Sequence, residues 1–345
     1  MAGRFGRGEK RSGRMDMGLY MAYPQGYNHS YQLRKEEVQV DLTKHAFFEG
    51  KIVPLSEARI NIATHGFLYG TAVFSGMRAY WNEEKKSLFL FRPYDHFRRL
   101  LESGRMMAME IPYDEEGLIQ LCIDLLKKDN YQQDVYLRPT IYKADMGIGV
   151  RLHNLRDELS IFTSPFEQYV ANDTNAHVTI SSWRRVDDNS IPARGKVAGA
   201  YVNSALAKTD ANRAGFDEAL VLNSDGHISE GSAMNVFMVR NGMLVTPPIT
   251  DNILEGITRR SIMEVARKEF GLTVEERSID RTEVLIADEM FFTGSAAQVV
   301  AITKIDHRPI GSGSMGPITA KLRAFYEDVV RAKNSKYASW NTEVK

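Results

Sequence analysis

The sequence predicts a mixed α/β (α+β) protein of two domains. Three observations carry that reading. The chain has 345 residues, enough for about two hydrophobic cores. Alternating apolar–polar runs that read as strands are interleaved with amphipathic runs that read as helices. A polar run, Ala171-Asn-Asp-Thr-Asn175, separates two such groups. The expected organisation is a mobile tail over 1–35, a small N-terminal α/β domain over 36–168, a linker over 169–177 and a large C-terminal domain over 178–345.

Composition narrows the function classes. Apolar residues make up 43% and charged residues 26%, as in an ordinary globular chain. The 44 basic and 44 acidic residues cancel, so no global field would recruit nucleic acid or an anionic membrane. No apolar run approaches the ~20 residues a membrane helix needs. Cys122 stands alone and cannot form an intrachain disulfide, which fits a reducing, cytoplasmic setting. The eight histidines are scattered and there is no cysteine pair, so no metal site is expected. Glycine-rich nucleotide motifs are missing as well.

Residues 1–35 carry Arg4, Arg7, Lys10, Arg11 and Arg14, then tyrosine and methionine, without a clear period. A transit peptide is the sharper reading of this stretch, but Glu9 and the glycines argue against its amphipathic helix. Phe48-Glu-Gly50-Lys-Ile-Val-Pro54 reads as a hairpin turning at glycine. If 73–80 form one strand, Phe74, Gly76, Arg78 and Tyr80 share a face, either a pocket wall or a half-buried strand with an exposed arginine. Residues 88–91 continue the sheet. Asp95 can cap a helix with the stripe Phe97, Leu100, Leu101 and Ala108, which leaves Arg99 on the solvent side. After Asp114 a second helix buries Leu118, Leu121, Cys122, Leu125 and Leu126, making Cys122 a packing residue. On the next strand Val135 and Leu137 face one way. Tyr136 and Arg138 face the other, and together they could read a carboxylate. A strand follows at 159–162.

The second domain opens with a strand at 178–180. Ser224-Asp-Gly226 and Asn241-Gly242 mark two hairpins. Glu230 stands where a strand breaks at Gly231, either aimed inward or exposed in a turn. Leu254-Glu-Gly-Ile-Thr-Arg259 opens an amphipathic helix ended by Gly271, its start being a phosphate cradle or a plain threonine cap. Residues 289–293 form a strand ending in a tight turn, Gly294-Ser-Ala-Ala297, whose amides could bind an anion. Residues beyond about 335 read as a frayed end.

Within Ile191-Pro-Ala-Arg-Gly-Lys196-Val-Ala-Gly-Ala-Tyr201, Lys196 follows a glycine and precedes small residues. A solvated loop lysine is one reading. An amine that condenses with a carbonyl is the other, given a pKa lowered by burial or neighbouring charge. A lysine, a later carboxylate, a helix-start cradle and an anion-binding turn are the parts of a pyridoxal phosphate site. In such a site the carboxylate keeps the pyridine nitrogen protonated.

These motifs, above all Glu230-Gly-Ser-Ala-Met-Asn235-Val-Phe with Leu254-Glu-Gly-Ile-Thr-Arg259, resemble the branched-chain-amino-acid aminotransferases within the fold-type IV pyridoxal phosphate enzymes. The match runs from about 48 to 323. The resemblance implies a D-amino-acid aminotransferase-like two-domain fold. It also implies Lys196 as the Schiff-base lysine, Glu230 as partner of the pyridine nitrogen and Tyr201 as partner of the ring hydroxyl. Phosphate falls to Arg99, Ile257, Thr258 and Ser295. Substrate falls to Tyr69, Phe74, Gly76, Arg78, Tyr136, Arg138, Ser295 and Ala296. The implied reaction is transamination of L-leucine, L-isoleucine and L-valine with 2-oxoglutarate, giving branched-chain 2-oxo acids and L-glutamate, a step of amino-acid biosynthesis. Same-fold (R)-amine or D-amino-acid transaminases and aminodeoxychorismate lyase are the alternatives; the first two generally lack the Tyr136-x-Arg138 pair with the Phe74-x-Gly76-x-Arg78 strand. Family sites borrow the loop near 146–150 from a second subunit, so at least a homodimer is implied.

Overall fold

A computed structural model describes residues 40–166 and 172–345; the tail over 1–35 and the opening residues of the linker, 169–171, lie outside them. The first half lays down β1 (His45–Phe48), β2 (Lys51–Pro54), α1 (His65–Tyr69), β3 (Ala72–Phe74), β4 (Met77–Asn82), β5 (Ser87–Phe91), α2 (Pro93–Met106), α3 (Glu115–Asp129), β6 (Val135–Lys143) and β7 (Asp157–Pro165). Every pairing among these strands is antiparallel. Glu49 and Gly50, at φ of 47° and 79°, make the primed turn that a two-residue hairpin requires. Asp114 caps α3 by accepting from Gly117 N at 2.9 Å. Most of the stripe read from the sequence is in place: Phe97 and Leu100 of α2 and Leu118, Cys122 and Leu125 of α3 bury against Leu90, Val135, Leu137 and Ile141, with Leu101 and Leu121 half-buried beside them, whereas Ala108 falls past the end of α2 at φ 50° and is exposed.

The second half carries β8 (Ala176–Arg184), α4 (Tyr201–Arg213), β9 (Glu218–Leu222), β10 (Ile228–Gly231), β11 (Asn235–Arg240), β12 (Met243–Thr246), α5 (Ile257–Phe270), β13 (Val274–Glu276), β14 (Glu289–Gly294), β15 (Gln298–Ile305), β16 (Arg308–Pro309) and α6 (Pro317–Val330). Its sheet runs β10-β9-β8-β15-β14-β11-β12-β13. The β8–β9, β8–β15 and β12–β13 pairs are parallel and the others antiparallel. Asn241 and Gly242, at φ of 51° and 73°, turn β11 into β12. The helices α5 and α6 cover one face, and their cluster of Ile262, Val265, Leu322, Tyr326 and Val329 also takes in Tyr80 and Phe91 from the first sheet.

Three expectations are corrected. Residues 73–80 are not one strand, because the chain breaks at Ser75 and Gly76; β3 and β4 pair with different stretches of β6. Asp95 is not the cap of α2. Pro93 starts the helix from Arg92 at φ 46°, since proline's fixed φ suits a first turn, and Asp95 instead accepts from Arg92 Nε at 2.5 Å. The C-terminal end is not frayed. A short 3₁₀ turn over Ser335–Trp340 leads into β17 (Asn341–Glu343), which joins the first sheet beside β5. Trp340 packs on Phe91 and lies under the Arg92 guanidinium, which anchors a polar tail that sequence pattern alone reads as loose.

Candidate active site

Between β3, β6 and α2 on one side and β10, β14 and the start of α5 on the other lies a cavity of about 580 Å³. The Lys196 segment crosses it as turns, and a short 3₁₀ turn over Ala198–Ala200 then leads into α4. Its backbone is stitched to β3: Phe74 N donates to Lys196 O at 3.0 Å, and Lys196 N donates to Ser103 Oγ of α2 at 3.2 Å. The amine donates to the Tyr201 hydroxyl and faces the rings of Phe74 and Tyr201, each at 5.0 Å. Burial, then the charges of Arg99 and Arg138, holds its pKa well below the usual lysine value. Burial also pushes Tyr201 up to about 12, so its phenol keeps its proton.

Glu230 is 4% exposed and aimed inward by a register shift in β10 between Ile228 and Glu230. Arg185 Nη2 reaches its Oε1 at 2.9 Å, while Asn235 Nδ2 and Leu254 N donate to Oε2 at 2.9 and 3.2 Å. Burial raises the Glu230 pKa, and Arg185 opposes that rise most strongly. Arg185 was missed by sequence reasoning. It follows the last residue of β8 in a polar stretch with no periodic signal, and only the sheet order β8-β9-β10, with Arg185 N donating to Leu222 O of β9 at 2.8 Å, brings it to the acid.

The start of α5 presents Ile257 and Thr258 to the cavity, with no side-chain cap at Gly256; Thr258 is therefore inside the first turn, not a cap. Amides at a helix start lack intrahelical partners and favour an anion. A Cβ on Gly256 would fall 2.0 Å from Asn235 Oδ1, so only glycine lets the helix start this close to β11. Arg99, read from periodicity as a surface residue, is buried. Its Nη1 donates to Glu255 O at 2.9 Å, and burial lowers its pKa to about 10.

On the opposite wall Arg138 donates through Nε and Nη2 to the Tyr136 hydroxyl at 3.0 and 2.8 Å and lies over the Phe74 ring. The gap at Gly76 is where the Tyr136 hydroxyl fits: a Cβ there would be 2.2 Å from it. Ser295 and Ala296 line the cavity from the β14–β15 turn. Thr293, unassigned by sequence reasoning, also lines it, and its buried Oγ1 has no hydrogen-bond partner among the described residues.

Two site residues lie outside the lining. Arg78 is sandwiched by Tyr80 and Phe166, is held by Asp134 at 3.1 Å, and touches Ala296 O at 3.5 Å from behind the turn. The Tyr69 hydroxyl accepts from Gly149 N at 3.1 Å, in a loop whose Ile148 is 96% exposed.

Residues 72–305, more than half of the chain, match the family model for class IV amino-transferases. The chain is similar to a probable branched-chain-amino-acid aminotransferase of Aquifex aeolicus (strain VF5), 48% identical over 299 residues that cover 87% of this chain and 96% of that one. Its fold is similar to a branched-chain aminotransferase from Thermoproteus uzoniensis crystallised with norvaline, with a TM-score of 0.84, 37% identity and coverage of 88% and 99%. It is also similar to the branched-chain amino acid aminotransferase from Thermobaculum terrenum in its PLP form, with a TM-score of 0.84, 37% identity and coverage of 88% and 99%. The chain belongs to the class IV aminotransferases, among the branched-chain-amino-acid aminotransferases.

Proposed function

We propose that the protein moves the amino group of L-leucine, L-isoleucine or L-valine to 2-oxoglutarate with pyridoxal 5'-phosphate, releasing branched-chain 2-oxo acids and L-glutamate. One observation carries the reading: a lysine amine of lowered pKa and a buried carboxylate paired with arginine face one cavity. The residues fit the cofactor. Arg99, Arg138 and Arg185 outweigh Glu230 and suit an anionic ligand, and the Thr293 hydroxyl offers an uncommitted polar atom. When bound, pyridoxal phosphate supplies an aldehyde and a ring that delocalises the electron pair left on the substrate's α-carbon.

The protein's residues divide the work. Lys196 Nζ, whose charged form burial destabilises, would hold the aldehyde, and the same amine, when free, would carry the proton of the substrate's α-carbon. Glu230, kept available as an anion by Arg185, holds a proton on the pyridine nitrogen. The Tyr201 hydroxyl meets the ring oxygen. Arg99, the amides of Ile257 and Thr258, and Ser295 take the phosphate. Phe74, Gly76 and Ala296 shape an apolar space for an aliphatic side chain. Tyr136 and Arg138 receive carboxylates, including the distal one of glutamate, with Arg78 supporting the wall from behind the Ser295–Ala296 turn.

The reading includes two domains divided near 169–177, a cytoplasmic enzyme and a homodimer. Exposed apolar residues Phe67, Met146, Ile148 and Val150 support the dimer, with Tyr69 and the 146–150 loop completing a neighbour's site. A panel of L-leucine, L-valine, D-alanine and (R)-phenylethylamine, each with 2-oxoglutarate, tests substrate class; turnover of the D- or (R)-donors alone refutes it. Lys196→Ala should abolish both transamination and the borohydride-reducible visible absorbance, and retention of both would remove its role. Light scattering should give a dimer mass.

A further inference from the structure

His96 is buried, lies one helical turn before Arg99 and does not line the cavity, yet it bridges two of the cavity's walls. Its Nδ1 is 3.0 Å from Ser75 Oγ at the break between β3 and β4. Its Nε2 is 3.4 Å from Ser295 Oγ in the β14–β15 turn. Ser75 is itself fixed, its N donating to Pro139 O at 2.9 Å. We propose that His96 is a positioning residue: as the neutral imidazole with its proton on Nε2, it fixes the Ser295 hydroxyl as a donor into the cavity. This rests on the site reading above, in which Ser295 meets the phosphate or the substrate α-carboxylate.

Burial and the cations Arg99, Lys196, Arg92 and Arg260 disfavour a further positive charge on the ring, so it is neutral and offers one donor and one acceptor. With the proton on Nδ1, the ring donates to Ser75 and Nε2 accepts from Ser295. The Ser295 proton is then spent on the histidine, and its oxygen turns a lone pair toward the anion. With the proton on Nε2, the order reverses: Ser75 O–H donates to Nδ1, Nε2–H donates to Ser295 Oγ, and Ser295 O–H points at the anion. An anion only accepts, so the second arrangement satisfies every group and aligns the chain of dipoles toward the charge.

The test uses cofactor-free protein with inorganic phosphate as probe. Two-bond ¹H–¹⁵N spectra of the wild-type rings, assigned through the shifts caused by Ser75→Ala and Ser295→Ala, should show His96 as a non-titrating Nε2–H tautomer from about pH 5.5 to 8, since burial among cations keeps the ring neutral. An Nδ1–H tautomer, or titration within that range, overturns the proposal, and this readout needs no His96 variant to fold. His96→Ala should weaken phosphate binding about tenfold, the scale of one hydrogen bond to a charged group. His96→Gln, whose amide can donate from near the Nε2 position, should recover to within about threefold of wild type. His96→Asn, which mimics Nδ1, should not recover. Equal loss in all three overturns the proposal. A wild-type enzyme that transaminates while its His96 carries the Nδ1 proton defeats this inference alone. A protein that neither holds pyridoxal phosphate nor transaminates defeats the site reading instead.

Discussion

Arg185→Met tests the electrostatics of the site without any cofactor. The Arg185 and Glu230 side chains are 13% and 5% exposed, and their atoms meet at 2.9 Å. Methionine keeps the apolar stem and removes the charged guanidinium, leaving Glu230 with the donors Asn235 Nδ2 and Leu254 N. Breaking a buried pair on one side costs about 3–5 kcal/mol. With two hydrogen bonds retained, the lower end applies, ~3 kcal/mol, which corresponds to about two pKa units on the carboxyl.

The sign with pH follows from the direction of the shift. Burial already lifts the Glu230 pKa above 4.5, and Arg185 is the strongest influence pulling it back. Without Arg185 it rises further. A carboxyl whose folded pKa exceeds its unfolded one binds its proton more tightly in the fold. Its contribution is therefore present in acid and lost as pH rises from the unfolded pKa through the folded one. The variant goes on losing stability above the pH at which the wild type has levelled. Urea unfolding of cofactor-free protein should give a gap that is small near about pH 5 and widens to ~3 kcal/mol by about pH 8. In a Glu230→Gln background the same substitution should cost much less, because no charge is left unpaired. A gap independent of pH, or unchanged by Glu230→Gln, would refute the idea that Arg185 acts by stabilising the carboxylate.

Gly76→Ala places a methyl 2.2 Å from the Tyr136 hydroxyl and must push that ring and Arg138 aside. Steady-state kinetics should show a KM for 2-oxoglutarate raised about tenfold or more, with a stability cost of about 1–3 kcal/mol. Cys122 is fully buried with its pKa raised by burial, so a thiol reagent should label it only after unfolding. Ending the chain at Trp340 removes β17 and the Asn341 Nδ2 bond to Val329 O. The loss should be about 2 kcal/mol by urea unfolding, from a few hydrogen bonds at about 0.5–1.5 kcal/mol each; an unchanged midpoint would mean that the strand adds nothing.

What the sequence made legible is whatever a few neighbouring residues decide. Asn241-Gly242 and Glu49-Gly50 fix their turns by backbone sterics alone. Asp114 caps α3 with an oxygen three residues from its donor, Gly117. The alternation of Val135, Tyr136, Leu137 and Arg138 sorts core from cavity because the pleat leaves no other choice. Even α2 carried its start signal in Pro93, which outweighs the aspartate two places on.

Arg99 shows where that logic ends. A helical period says which face of α2 is apolar and packs on the first sheet; it does not say what lies over the other face. Here the start of α5, far along the chain, covers it and supplies the Glu255 carbonyl 2.9 Å from the guanidinium, so an arginine that would be solvated on an isolated α2 is buried. Arg185 and Glu230 meet for the same reason, through the placement of β8 and β10 on either side of β9 in the second sheet and not through proximity along the chain. Anion-binding and proton-holding groups gather where elements from both sheets converge, because only there can charges be desolvated and paired together. A family motif such as Glu230-Gly-Ser-Ala-Met-Asn235 therefore reaches further than periodicity. It names residues whose surroundings are partly supplied by distant parts of the chain, and in this fold Arg185 and the Leu254 amide join the motif's own Asn235 around the acid.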